Sequence, residues 1–95
     1  TGGGKQKYVI LKQDDSHMGD KYIRVLKEGF VSMDMAQNIL VIKTVSGMAM
    51  AVAAAVDAMK FREIVGSIAG DDTIMMAVRT VEDTKVLMEK IKAML

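Results

Sequence analysis

The sequence predicts an α+β fold: a two-layer sandwich of order β-β-α-β-β-α, with a mainly antiparallel four-stranded sheet and two helices on one face. Three observations carry that expectation. Strand-like alternation opens at Phe30, two apolar runs flank Gly70-Asp71-Asp72, and each strand pair is followed by a segment with helical signals. With 95 residues, 51% hydrophobic and 26% charged, the chain can bury one core and is too apolar to remain disordered.

Behind Gly2-Gly3-Gly4, the run "KQKYVILK" from Lys5 to Lys12 is strand-like but has little nearby to pair with. "QDDSHMGD", residues 13–20, is polar and aperiodic and reads as a linker, so a boundary is expected there. "KYIRVLKE", residues 21–28, mixes apolar Tyr22, Ile23, Val25 and Leu26 with charges, which fits either a helical turn or the start of a strand. The chain opens on Thr1 rather than Met, as a piece of a longer protein would.

From Gly29 the signals sharpen. In "FVSMDMAQ" the alternation puts Val31, Met33 and Met35 on one face and Ser32 and Asp34 on the other. "ILVIKTV", Ile39 to Val45, follows Gln37-Asn38, where Asn suits the positive backbone angle of a tight hairpin. Ser46 is the expected N-cap of a helix over Met48 to Lys60, Ala-rich and apolar almost all round, with Asp57 its only charge before Lys60. A helix without a polar face needs cover on more than one side, and a domain this small supplies one, so a second copy of the chain is the expected cover. "IVGSIA" and "TIMMAVR" form a second strand pair around the Asp-Asp turn. Thr80 with Asp83 resembles an acidic capping box and opens a last helix with Val81, Thr84, Leu87, Met88, Ile91 and Leu95 on one side, and Lys85 paired with Glu89 on the other.

Composition excludes several kinds of chemistry. There is no Cys and a single His, so disulfides, thiolate metal sites and His clusters are out, and His17 reads as a solvated loop residue. A formal net charge of +1 gives no overall pull toward nucleic acid or membrane. No apolar run is long enough to span a bilayer and no signal pattern opens the chain, which points to the cytosol. Gly2 to Gly4 lack the strand and helix of a phosphate loop, and nothing fixes the spacing that two catalytic carboxylates need, so no enzyme is expected. The ten Met residues read as filler for irregular core and interface gaps.

What remains is acidic. Asp57 lies on a helix expected to be buried, and Asp71 and Asp72 sit side by side at a strand junction, with Arg62 and Arg79 among the few internal partners. A buried carboxylate must be paired. A guanidinium ligand fits because its planar fork gives bidentate contacts, each charged hydrogen bond contributing about 1.5–3 kcal/mol.

"GSIAGDDTI", the hairpin before it and the Ser-Gly helix start resemble the C-terminal oligomerisation and effector domain of the bacterial arginine repressor family, most clearly over Gly29 to Arg79. The resemblance implies a cytoplasmic, arginine-responsive transcription regulator of arginine metabolism that needs no cofactor. It implies a trimer-forming domain that stacks as a dimer of trimers, with L-arginine as corepressor at the trimer interface. Residues 1–12 would then be the last strand of a winged-helix DNA-binding domain that reads operator DNA, 13–20 a linker, and 21–95 the oligomerisation and effector domain. Carried over by position, Asp71 and Asp72 would hold the ligand's charged groups, Asp57 would support the site, and Met50, Ala69 and Thr73 would line it. Two positions depart from the family pattern: Met50 stands where a Gln is frequent, and Ser46 where a Pro is common. The loss of that amide leaves a second reading, an assembly domain whose effector response is lost or changed.

Overall fold

The computed structural model describes residues 19–95. The glycine lead, the Lys5 to Lys12 strand, His17 and the linker up to residue 18 lie outside the described residues. Residues 19–29 are helical (α1), where the sequence leaves a helical turn and a strand both open. The reason is periodic: Tyr22, Val25, Leu26 and Gly29 recur at helical spacing, and of these Leu26 and Gly29 are buried, with Leu26 fully inside the core.

Four strands follow, β1 (Phe30–Ala36), β2 (Ile39–Thr44), β3 (Ile64–Ala69) and β4 (Thr73–Val78), with α2 (Ala49–Ala58) between the pairs and α3 (Val81–Met94) at the end. The sheet order is β1-β2-β4-β3 and every neighbouring pair is antiparallel. Leu40 and Ile42 of β2, Ile74, Met76 and Val78 of β4, Val52 and Val56 of α2, and Leu87 and Ile91 of α3 form one core, which places the helices on one face of the sheet as expected. The helix α1 is an additional element on that core.

Several local expectations are corrected. A bulge between Phe30 and Ser32 shifts the alternation, so Phe30 packs on the core and Val31 is exposed, while Met33 stays inward. The hairpin's positive angle falls on Gln37 (φ 58), not Asn38; Asn38 instead donates its side-chain amide to the Val78 carbonyl at 3.0 Å, tying the turn to β4. The N-cap of α2 is Met48, with no side-chain hydrogen bond, because Gly47 (φ 81) places Ser46 too early in the loop to cap it. α2 is not buried all round either: Met50, Ala51, Ala54 and Asp57 form an exposed stripe. In α3, Lys85 lies 4.0 Å from Glu82 and Lys92 lies 3.9 Å from Glu89, so the expected Lys85 to Glu89 pair is replaced by i,i+3 neighbours. Leu95 is exposed past the helix end. The Thr80 cap holds, its hydroxyl accepting from the Asp83 N–H at 2.9 Å.

The opposite face of the sheet is open. Ile39 and Val41 of β2, Met75 and Ala77 of β4 and Ile68 of β3 point there, and Ile68 is 80% exposed. The methionines divide accordingly: Met76 is buried and Met33, Met59, Met88 and Met94 pack on the core, whereas Met50 and Met75 are open to solvent.

Candidate functional site

The turn joining β3 to β4 is Gly70-Asp71-Asp72, closed by the Gly70 N–H donating to the Thr73 carbonyl at 2.9 Å. The loop before α2 is laced to it. The Asp72 carbonyl accepts from the Thr44 N–H at 2.8 Å, and the Asp71 carbonyl accepts from the Ala49 N–H at 3.1 Å. The turn therefore abuts the first residues of α2, whose amide ends favour negative charge nearby. β2 and β4 are central neighbours, and that pairing brings residues 43–49 and 70–73 together.

Both carboxylates are exposed, and each has one oxygen held. The Ser46 hydroxyl donates to Asp71 Oδ2 at 3.2 Å, and the Thr73 hydroxyl donates to Asp72 Oδ1 at 2.9 Å. Behind Thr73 stands Lys43, whose Nζ donates to the Thr73 oxygen at 3.0 Å. Among the described residues, Asp71 Oδ1 and Asp72 Oδ2 take no protein hydrogen bond and neither carboxylate is ion-paired. Each carboxylate of the turn thus leaves one acceptor oxygen to solvent, which suits a cation with more than one donor.

The other expected site residues are distributed unevenly. Met50 lies one residue beyond Ala49, hence beside the turn, and is 71% exposed. Ala69 ends β3 and packs against the core, supporting the turn from below. Asp57 is exposed rather than buried, and it sits near the far end of α2, about 12 Å along the axis from Ala49 at 1.5 Å per residue. Within one chain it does not join the pair. Nor do Arg62 and Arg79 serve as internal partners: Arg79 Nε donates to the Arg62 carbonyl at 2.9 Å, at the opposite end of the β3 and β4 hairpin. Sequence reasoning missed Lys43, and it read Ser46 as a helix cap rather than as a donor to Asp71. Lys43 pairs directly across from Thr73 only because β2 lies beside β4.

The open sheet face meets the turn along one edge. An open depression of about 560 Å³ is lined by Ile39, Ile68, Met75 and Ala77 and reaches Gly70 and Thr73. Among the described residues no group of acidic or His side chains is placed to hold a metal ion, and no helix is long and apolar enough to cross a membrane.

Comparison with known proteins places the chain in a family. The family model described as "Arginine repressor, C-terminal domain" matches residues 26–93. The arginine repressor of Lachnoclostridium phytofermentans is 63% identical over all 95 residues, and that of Lachnospira eligens 64% identical over 93 residues, 98% of this chain. The arginine repressor of Caldicellulosiruptor saccharolyticus is 39% identical, again over the whole chain. In each case the chain spans 62% of the relative's length. These are repressors by name rather than enzymes, and with a family model covering most of its length and relatives well above 30% identity, the chain belongs to the arginine repressor family.

Proposed function

We propose that this chain is the effector-sensing and assembly part of an arginine-responsive transcriptional regulator, with L-arginine bound as corepressor at the Asp71 and Asp72 turn. One observation carries the reading: two adjacent exposed carboxylates, each fixed through one oxygen by a hydroxyl and open at the other. A guanidinium, with its fork of donors, has enough N–H groups to serve both open oxygens. Met50 and Thr73 flank that position, Ala69 supports it, and Asp57 is brought to it from another copy.

Self-association into a trimer and a dimer of trimers uses the open surfaces, chiefly the apolar sheet face around Ile68 and Met75. Ligand then binds where trimers meet, and operator DNA is read in the cytosol by a winged-helix domain that precedes the described residues. This supplies the second cover that the apolar character of the chain calls for, although the larger apolar opening lies on the sheet rather than on α2.

The test is a calorimetric titration with L-arginine, with L-citrulline and L-lysine as controls. Binding of arginine near one per chain is expected, and Asp72→Asn should abolish it while circular dichroism stays unchanged. Arginine binding that survives in Asp72→Asn would sink the site assignment. Met50 motivates the second reading, an assembly domain with an altered effector. Its side chain is exposed and lacks the donors of an amide, so Met50→Gln costs the fold little; arginine binding that appears only in that variant would favour the altered-effector reading.

A further inference from the structure

We infer that Lys43 is a specificity-determining residue of the turn site, reading the carboxylate of the ligand so that a cationic α-amino acid is preferred to the amine that lacks that group. The inference rests on the reading of Asp71 and Asp72 as a cation site and adds the group that recognises the other end of the ligand.

Lys43 is the cation whose side chain hydrogen-bonds into the turn. Its Nζ donates to Thr73 Oγ1 at 3.0 Å, and Thr73 in turn donates to Asp72 Oδ1 at 2.9 Å. An ammonium has three donors, and a single hydroxyl acceptor occupies one of them. Among the described residues Lys43 is in no ion pair, and it is exposed. Its place is dictated by the sheet, since Lys43 is the cross-strand partner of Thr73 and projects on the same face. A lysine with two free donors therefore stands one hydroxyl away from a carboxylate without pairing to it.

Charge decides what such a site accepts. Two carboxylates and one ammonium leave a local charge of −1. A simple diamine or guanidine offers only positive charge, which meets the open Asp oxygens well but is repelled by Lys43. A cationic α-amino acid carries two positive groups and one carboxylate, and so complements all three side chains. The third contact is charge-assisted on both sides, the kind whose loss changes affinity most. Lys43 thereby discriminates by attraction to the carboxylate and by repulsion of ligands without one.

The experiment compares L-arginine with agmatine, its decarboxylated counterpart, by titration of the 95-residue chain and of Lys43→Met, Lys43→Arg and Asp72→Asn, each checked for native circular dichroism. The native chain should prefer arginine by at least about tenfold, the scale of one charged hydrogen bond. Lys43→Met should bring the two ligands to near parity by weakening arginine while agmatine holds or gains, and Lys43→Arg should restore the preference. Asp72→Asn should weaken both. A native chain without the preference, or a Lys43→Met variant that weakens both ligands equally, overturns the inference while leaving the cation site standing. Absence of arginine binding in the native chain, or indifference to Asp72→Asn, overturns the cation site itself and the role of Lys43 with it.

Discussion

Gly29, at the end of α1, lies close against Val52 of α2, and replacing it with Ala sets two effects of opposite sign against each other. A β-carbon built on Gly29 would lie 2.5 Å from Val52 Cγ2 and 3.2 Å from Met48 Cε. Ordinary contact begins near 3.4 Å, so about 1 Å of separation is missing on the Val52 side. Met48 can swing its flexible end away, but Val52 is fully buried in the core and has nowhere to retreat. Removing a glycine from a helical position gains about 0.4–1 kcal/mol through the unfolded chain. Overpacking a close-packed core costs about 1–3 kcal/mol. The clash wins, and Gly29→Ala should destabilise by about 1–2 kcal/mol, seen as a lower urea midpoint at unchanged slope and a melting temperature lower by about 4–8 °C per kcal/mol for a chain of this size. Protomer concentration must be held fixed, since assembly shifts apparent stability. Val52→Ala removes the clashing methyl groups, so in the double variant the glycine effect should reverse sign, a coupling of about 1 kcal/mol or more. A neutral Gly29→Ala, or costs that simply add in the double variant, would refute the close approach.

Two further perturbations read other parts of the structure. Glu63 is held below its usual carboxylate range chiefly by the hydrogen bond from Lys90, whose Nζ lies 2.6 Å from Oε2, with a backbone N–H and the charges of Lys90 and Arg62 adding to it against a desolvation penalty. A carboxylate whose folded pKa is lowered stabilises the fold fully above its ordinary value of 4.5, and that contribution disappears as pH falls through the lower folded value. Lys90→Met should therefore cost more stability near pH 7 than at about pH 3, and equal costs at both would contradict this. On the open sheet face, Ile68→Lys alters a side chain that is 80% exposed, so the stability of the isolated fold should move by less than about 0.5 kcal/mol. Sedimentation should nevertheless shift to smaller species, and an unchanged distribution would remove this face from the assembly surface.

How much of this was legible in the sequence depends on the range over which each signal acts. The strands, the two later helices and the Thr80 cap are local, set by alternation, spacing and a hydroxyl three residues from its partner, and all were readable. α1 was harder because its inward positions include Gly29, whose burial reflects a close approach to Val52 rather than any apolar side chain. The bulge at Phe30 hid the inward residue of β1, because one extra residue reverses a period of two. At the site, Asp71 and Asp72 stood out as a pair, but Lys43 did not, since its link to Thr73 needs the β2 and β4 pairing across 30 residues. Ser46 failed as a cap for a similar reason: its hydroxyl serves Asp71, 25 residues away.

The separation of Asp57 from the turn bears on how such a site would work. Asp57 and Met50 are seven residues apart on the exposed stripe of α2, and the turn abuts only the Met50 end. Asp57 stands about 12 Å along the helix from the end that meets the turn, so in the proposed site it would come from a neighbouring copy. In a closed symmetric assembly each copy would then lend Asp57 to a site built on a neighbour's turn. Binding and assembly are then linked by necessity: a ligand held between copies stabilises their contact by as much as that contact tightens the ligand. The proposed role of Lys43 lies outside this linkage, because Lys43, Thr73 and Asp72 are joined within a single chain. Recognition of the ligand's carboxylate would accordingly be a property of each protomer, and the affinity that makes binding report on assembly would come from between them.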